Sequence, residues 1–192
     1  HPREVLIKSR LIPGDHLVLT KPLGTGIINT AVKGGLASPG TVEKATLLMA
    51  SLNRKAAEIM RRYSVHACTD ITGFGLLGHL SEMTSGSGYS VLLKSACIPV
   101  LPEAMEFASM GLVPAGAHRN RKFREPMVIM DPAIDDVMRD ILYDPQTSGG
   151  LLICVEAGDV ASMIRDMHQQ QIVAADIGTI LPEPSEKIRI VP

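Results

Sequence analysis

The stretch that decides the fold reads His66-Ala-Cys-Thr-Asp70-Ile-Thr-Gly-Phe-Gly-Leu-Leu-Gly-His79. Residues 65–69 have the apolar pattern of a strand, and the residues from Phe74 to about Ser85 have the pattern of a helix. Asp70 therefore stands at a strand end, before a glycine turn that opens a helix. Glycines let the backbone approach an anion, the free N–H groups of a helix start face it, and a carboxylate can hold the accompanying divalent cation. The stretch predicts a phosphate or nucleotide site.

The residues alone leave two alternatives open for Asp70 and two for the histidines and the cysteine of this stretch. Asp70 can cap the following helix, or hold a metal or phosphate, and the two roles are compatible. His66 and Cys68 share one face of the predicted strand and could bind a metal with His79, although core packing is favoured because cysteine is among the most buried residue types.

The glycine spacing also matches a dinucleotide-binding fingerprint. Gly73, Gly75 and Gly78 form G-x-G-x-x-G after a strand and before a helix. That fingerprint requires an acid for the ribose about twenty residues on, whereas the next predicted strand ends at residues 93–95, Leu-Lys-Ser. The regular alternation of strands and helices expected of such a domain is also missing, so the dinucleotide interpretation is disfavoured.

A second stretch, Asp144-Pro-Gln-Thr-Ser-Gly-Gly150, has related chemistry. The hydroxyls of Thr147 and Ser148 and the N–H groups of the glycines could hold a phosphate. On local chemistry a plain turn into a strand at Leu151 is favoured. No G-x-S-x-G nucleophile elbow is present, because Gly86-Ser-Gly88 lacks its spacing.

The rest of the chain predicts an α+β fold with a mixed, mostly antiparallel sheet covered by helices, because strands and helices do not alternate regularly. One apolar stripe predicts a single helix from Ser38-Pro39 to Tyr63, and residues 113–126 are predicted to be irregular. The remaining predicted strands cover 16–20, 89–94, 127–130, 151–155 and 173–181, with a last one at 187–191, and further helices cover 102–110, 132–142 and 159–170, with another that ends at Gly34-Gly35.

Composition narrows the class of protein. At 192 residues, with 45% hydrophobic and 20% charged residues, one folded domain is expected. The net charge of −1 gives no electrostatic case for nucleic acid. One basic cluster lies in the loop-like segment 116–126, where a solvated loop is favoured over a ligand clamp; it consists of Arg119, Arg121, Lys122 and Arg124.

The spacing of the cysteines and the hydropathy of the chain indicate the cellular compartment. Cys68, Cys97 and Cys154 form no C-x-x-C pair, so a reducing cytoplasm is expected rather than a disulfide framework or a zinc site. No run of about 18 apolar residues predicts a membrane span. The chain begins at His1 without a signal-peptide pattern, and we expect it to be part of something longer.

Four stretches that occur in order resemble the C-terminal half of the selenophosphate synthetases (selenide, water dikinases). They are Thr20-Lys-Pro-Leu-Gly-Thr-Gly26, Thr69-Asp-Ile-Thr-Gly-Phe-Gly-Leu-Leu-Gly-His79, Val113-Pro-Ala-Gly-Ala-His-Arg-Asn120 and Asp144-Pro-Gln-Thr-Ser-Gly-Gly-Leu-Leu152. The resemblance implies the fold of the C-terminal domain of aminoimidazole ribonucleotide synthetase. It divides the chain into a linker, 1–14, from an absent N-terminal ATP-binding domain, and a C-terminal synthetase domain, 15–192.

The resemblance also implies a reaction, in which ATP, selenide and water give selenophosphate, AMP and orthophosphate. It implies Mg²⁺ as the cofactor, with Asp70 as one of its ligands, and a cytoplasmic homodimer as the parent protein. The family's catalytic cysteine or selenocysteine and its lysine belong to the absent half, so this chain alone is expected to be inactive. Positions near the phosphates are expected from motif membership and donor chemistry at Thr72, Gly73, Gly75, Arg119, Asn120, Thr147 and Ser148.

Two alternatives remain. The chain could belong to another ATP-using member of the same superfamily, which acts on a carboxamide, an amidine or thiamine phosphate. From a different class, it could be a non-catalytic binding module, with which its 10 methionines are compatible.

Overall fold

The computed structural model describes residues 6–192. Residues 6–14 form turns and contain no helix or strand. Residues 1–5, the other part of the predicted linker, lie outside the described residues. The division into a linker, 1–14, and a domain, 15–192, therefore stays a prediction.

A seven-stranded mixed sheet forms the centre of the domain, in the order β2-β5-β1-β6-β3-β7-β4. The four pairs from β2 to β3 are antiparallel, and β3–β7 and β7–β4 are parallel. The predicted α+β class with a mostly antiparallel sheet is confirmed. The strands are β1 (His16–Leu19), β2 (Val65–Asp70), β3 (Ser90–Lys94), β4 (Val128–Met130), β5 (Leu151–Val155), β6 (Ala175–Leu181) and β7 (Ile188–Val191).

Helices cover both faces of this sheet, because alternate side chains of the same strand pack against different helices. In β1, Leu17 and Leu19 belong to the larger apolar cluster, with helices α1, α4, α5 and α7, whereas Val18 packs on the other face against α3 and α8. Side chains of a strand point alternately to opposite faces, so β1 is buried on both. The helices are α1 (Thr25–Lys33), α2 (Pro39–Ala50), α3 (Arg54–Met60), α4 (Gly75–Ser87), α5 (Pro102–Ser109), α6 (Ala115–Arg124), α7 (Asp136–Tyr143) and α8 (Val160–Gln169).

The prediction of one helix from residue 38 to residue 63 is wrong, because the chain leaves the helix at residues 51–53 and starts α3. The carbonyls of Leu48 and Ser51 accept from the ammonium of Lys21, at 3.1 and 2.8 Å. The side-chain amide of Asn53 donates to the carbonyl of Gly149 at 2.9 Å. These contacts join residues around the break to distant parts of the chain, and the apolar pattern contained no sign of them.

The prediction that residues 113–126 are irregular is also wrong, since α6 occupies most of them. Its sequence is mostly polar and has little apolar periodicity, which is why the pattern indicated a loop. The helix begins after Pro114, and it is fixed by one buried residue, Ala117, and by the side chain of Asn120. A smaller difference concerns α7, which begins after Asp135 rather than at Pro132, because the Asp135 carboxylate accepts from the N–H of Met138 at 2.7 Å.

Candidate functional site

Strand directions bring three of the quoted stretches to one end of the sheet. β1 and β2 are both antiparallel to β5, which lies between them. The residues that follow β1 and β2 therefore lie beside those that precede β5. The N–H of Ile71 donates to the carbonyl of Gly150 at 2.9 Å, and the N–H of Gln146 donates to the carbonyl of Thr72 at 3.0 Å. We call this region, formed by residues 20–26, 70–78 and 144–150, the motif junction.

Gln146 connects the stretches at the motif junction. Its Oε1 accepts from the N–H of Gly24, from the N–H of Thr25 and from the Thr25 hydroxyl, at 3.0, 3.1 and 3.0 Å. Its Nε2 donates to the carbonyl of Asp144 and to Oδ2 of the same residue, at 2.8 and 2.9 Å. Sequence reasoning missed this role, and membership of the quoted stretch was the one available signal.

Asp144 lies beside Gln146 and is completely buried. Its Oδ2 accepts from the N–H of Gly26 at 3.0 Å, so it satisfies a free donor at the start of α1 that Gly24, the residue before the helix, has no side chain to cap. Its Oδ1 has no partner among residues 6–192. Burial raises the pKa of Asp144 to about 7, against an opposing effect of the donors around it.

The glycine turn that follows β2 packs against the backbone of Tyr143 and Asp144. Gly75 has φ +69°, and a Cβ there would lie 2.9 Å from the carbonyl oxygens of Tyr143 and Asp144, so glycine is required on both counts. Asn120 reaches this turn from α6, and its Nδ2 donates to the carbonyls of Gly73 and Tyr143 at 3.0 and 3.1 Å. The Val113–Asn120 stretch therefore reaches the motif junction through Asn120. The amide nitrogen of Asn120 is committed to holding the turn.

Asp70 is exposed at the end of β2. No side chain caps the start of α4, so the interpretation of Asp70 as a helix cap is wrong. Its carboxylate makes no hydrogen bond or ion pair within residues 6–192. It lines an open depression of about 520 Å³ together with Lys8, Cys68 and Thr69, and with Leu6, Met60 and Leu151. A free carboxylate of this kind suits Mg²⁺, which takes one or two protein carboxylates besides phosphate and water.

The alternative metal site at His66, Cys68 and His79 is wrong, because these side chains have separate partners. His66 pairs with the buried Asp15 at 2.7 Å, and Nε2 of His79 lies 3.0 Å from the hydroxyl of Thr72. Burial raises the pKa of the Cys68 thiol to about 12 and lowers the pKa of His79. Over the described range, 6–192, no group of three or more His, Cys, Asp and Glu side chains is arranged to hold a metal.

The other predicted positions differ in exposure. Thr147 and Ser148 are exposed at the motif junction, as is Gly73 in the glycine turn, whereas the hydroxyl of Thr72 is engaged with His79. Arg119 is exposed on α6.

The other residues of the basic cluster lie on a helix instead of the predicted loop. Arg121 pairs with Glu125 at 3.4 Å, and Arg124 with Glu82 at 3.6 Å. Lys122 is exposed. The favoured solvated surface therefore describes Arg119, Arg121 and Lys122, whereas the side chain of Arg124 is only 16% exposed.

Comparison with known proteins gives one family match that covers nearly the whole chain. The model of the family described as AIR synthase related protein, C-terminal domain, matches residues 13–191. Within residues 6–192, no helix is long and apolar enough to cross a membrane.

Curated relatives and solved structures extend this match. The chain is 49% identical to the selenide, water dikinase of Pelobacter propionicus, over 98% of this chain and 54% of that protein. It is 43% identical to selenide, water dikinase 2 of Peptoclostridium acidaminophilum, over 100% of this chain and 55% of that protein. The chain thus spans about half the length of the curated relatives it matches.

Two structural relatives show the fold alone, because their sequence identities are low. E. coli HypE, a hydrogenase maturation protein, aligns with a TM-score of 0.70 and 16% identity, over 98% of this chain and 49% of that one. Thiamine-monophosphate kinase from Stenotrophomonas maltophilia K279a aligns with a TM-score of 0.61 and 14% identity, over 96% of this chain and 52% of that one.

Proposed function

The chain belongs to the family of AIR synthase related proteins, as their C-terminal domain, and from this premise we propose that it serves a selenide, water dikinase. In that reaction ATP, selenide and water give selenophosphate, AMP and orthophosphate. The observation that carries the proposal is the free carboxylate of Asp70, at a strand end beside a glycine turn, in a chain 49% identical to one such enzyme.

The proposed role of this chain is to bind and orient, since phosphoryl transfer depends mainly on positioning and charge stabilisation. Asp70 would hold Mg²⁺, which supplies positive charge to the phosphates when it is bound. The exposed backbone at Gly73 and the hydroxyls of Thr147 and Ser148 would donate to phosphate oxygens. Gly75 shapes the turn, Thr72 and Asn120 hold it, and the exposed guanidinium of Arg119 would add charge.

The remaining chemistry is assigned to residues outside this chain. No cysteine here suits the catalytic role, because burial raises the pKa of Cys68 to about 12 and raises that of Cys154 further, and a nucleophilic cysteine requires a lowered pKa. Cys97 is exposed and lies outside the motif junction. The parent protein would use ATP and selenide for selenocysteine biosynthesis as a cytoplasmic homodimer, with an N-terminal ATP-binding domain that closes over Asp70.

Phosphorus NMR of reaction mixtures with Mg²⁺, ATP and selenide tests the proposal. The full-length parent should form selenophosphate, and Asp70→Asn, which keeps the side-chain shape, should lower turnover at least about a hundredfold, as loss of a charge-stabilising group does. Glu156→Gln is the matched control, because Glu156 is an exposed acid after β5, at the opposite end of the sheet. This control should stay within about twofold of the parent.

Each other outcome contradicts part of the proposal. Turnover by this chain alone would place catalytic residues within it. Equal turnover of Asp70→Asn and Glu156→Gln would remove Asp70 from the site and favour a non-catalytic binding module. A parent that phosphorylates thiamine phosphate but forms no selenophosphate would favour the thiamine-phosphate-kinase alternative.

A further inference from the structure

The loop of residues 147–150 is fixed through its carbonyl oxygens, by three different elements. The carbonyl of Ser148 accepts from Nζ of Lys21 at 2.8 Å, and that of Gly149 accepts from Nδ2 of Asn53 at 2.9 Å. The carbonyl of Gly150 accepts from the N–H of Ile71 at 2.9 Å. Three successive carbonyls are therefore held on the protein side of the loop.

Peptide geometry decides where the N–H groups of the same loop point. A trans peptide directs its N–H opposite to its C=O, so the N–H groups of Gly149 and Gly150 point away from Lys21 and Asn53. Neither N–H has an acceptor within residues 6–192, whereas the next one, of Leu151, donates to the Thr20 hydroxyl at 2.8 Å. Gly149 and Gly150 are buried, and the exposed Thr147 and Ser148 directly precede them. Two adjacent free N–H groups beside exposed hydroxyls are an anion-binding arrangement.

Lys21 is an unusual residue to hold such a loop. It is 7% exposed, and burial lowers its pKa with no acid to oppose the effect. Its ammonium donates to three neutral carbonyls, of Leu48, Ser51 and Ser148. The first two belong to the C-terminal end of α2, where the helix dipole favours a cation.

The loop also stores backbone strain, which indicates that its shape is imposed from outside. Ser148 has φ +50°, a conformation that costs a residue other than glycine about 1 kcal/mol or more. A Cβ on Gly150 would lie 2.5 Å from the backbone nitrogen of Lys21, and a Cβ on Gly149 would lie 2.3 Å from the carbonyl oxygen of Ile71. The backbone atoms of Lys21 and Ile71 therefore approach the loop so closely that only glycine fits at positions 149 and 150.

We propose that Lys21 and Asn53 are positioning residues, which hold the loop so that the N–H groups of Gly149 and Gly150 bind a phosphate group of the substrate. This inference rests on the proposed function for the identity of the substrate. A lysine near a phosphate site is ordinarily expected to bind the phosphate itself. Lys21 instead donates to the carbonyl of Ser148 and would not contact the phosphate.

The test uses ¹⁵N-labelled chain titrated with inorganic pyrophosphate. The amide signals of Gly149 and Gly150 should shift on binding. Lys21→Met should weaken binding about tenfold, because the loop loses its fixed shape. Lys55→Met is the matched control: Lys55 is exposed and lines the same cleft as Lys21, of about 470 Å³, so it removes equal charge without touching the loop. The control should bind within about twofold of the unaltered chain.

Further variants keep the inference testable if Lys21→Met does not fold. Asn53→Ala leaves the charge unchanged and should weaken binding severalfold, and Lys21→Arg should not restore it, because a planar guanidinium does not match an ammonium that donates to three carbonyls. Equal weakening by Lys21→Met and Lys55→Met would mean that charge alone matters. Absence of pyrophosphate binding, or binding without shifts at Gly149 and Gly150, would overturn the inference. Failure of the parent to form selenophosphate, with these shifts present, would instead count against the proposed function alone.

Discussion

The two halves of the sheet differ in how far their polar side chains hold distant loops. Around β2, β5, β1 and β6, buried side chains such as Gln146, Asp144 and Lys21 hold loops that are 118 to 127 residues away in sequence. Around β3, β7 and β4, the ion pair between Arg189 and Glu183 lies at the surface, with 43% and 46% of the side chains exposed. Buried polar groups specify one loop geometry because leaving any of them unpaired is costly, whereas surface pairs contribute little. The predicted site lies in the first half, where buried polar side chains hold the loops.

The largest expected effect in the first half comes from Gly149→Ala. The added Cβ would lie 2.3 Å from the Ile71 carbonyl oxygen, a backbone atom that cannot move aside alone. We expect a loss of about 3 kcal/mol in the free energy of unfolding, measured with urea. Gly158→Ala, where nothing lies within 4 Å of the new Cβ, is the control and should lose less than about 0.5 kcal/mol. Similar losses in the two variants would show that the motif junction is not rigid.

A second comparison takes one buried polar side chain from each half. Gln146→Ala should cost about 2–3 kcal/mol, since it leaves the N–H groups of Gly24 and Thr25 without an acceptor. Ser90→Ala, in β3, removes a hydroxyl that contacts Ser185 at 2.6 Å, and should cost about 1 kcal/mol. Thermal and urea unfolding of both variants would measure the difference. A larger loss for Ser90→Ala would reverse the contrast between the halves.

The pH dependence of stability should distinguish the motif junction as well. The pKa of Asp144 in the folded chain is about 7, above its ordinary value of 3.8. Between these values the folded chain holds a proton that the unfolded chain has lost, so the contribution of Asp144 to stability falls as pH rises from about 4 to about 7. Asp144→Asn should remove this dependence and gain about 1–3 kcal/mol relative to the unaltered chain between those pH values. Parallel stability–pH curves for the two chains would contradict the prediction.

The smallest effect is expected from the surface pair of the second half. Arg189→Ala should lower the free energy of unfolding by less than about 1 kcal/mol, because Arg189 and Glu183 remain largely solvated and are screened by salt. The loss should shrink further in high salt, which urea unfolding at two salt concentrations would measure. A loss as large as that of Gln146→Ala would show that exposure does not separate the two halves.

The strands could be predicted from sequence because their apolar patterns are local. All seven lie within two residues of their predicted ends. The two wrong helix predictions have one cause, which is that contacts from far along the chain decide the outcome. At the break between α2 and α3, Lys21 donates to the carbonyl of Ser51 and Asn53 donates to the carbonyl of Gly149. Asn120 joins α6 to the glycine turn.

The site was predictable to the extent that residue chemistry is visible in a motif. The place of Asp70 at a strand end was predicted and is confirmed, but the absence of a helix-capping role could be seen only in the structure. Its role as a metal ligand stays a prediction. The roles of Gln146 and Lys21 could not be read from sequence, because neither residue type nor spacing reveals which distant carbonyls and N–H groups it satisfies. The pKa of Asp144 depends on burial, which is a property of the whole fold.

The start of α1 has a consequence for how the chain reaches its structure. Within this domain helix α1 is made early, but the side chains that satisfy the N–H groups of Thr25 and Gly26 come from residues 121 and 118 positions later. Strand β1 likewise pairs with β5 and β6, which are both made late. Folding dominated by such distant pairings is slow, since loops must close before the contacts form. We therefore expect the domain to fold only after nearly all of it has left the ribosome, with the apolar side chains of β1 and α1 exposed until then.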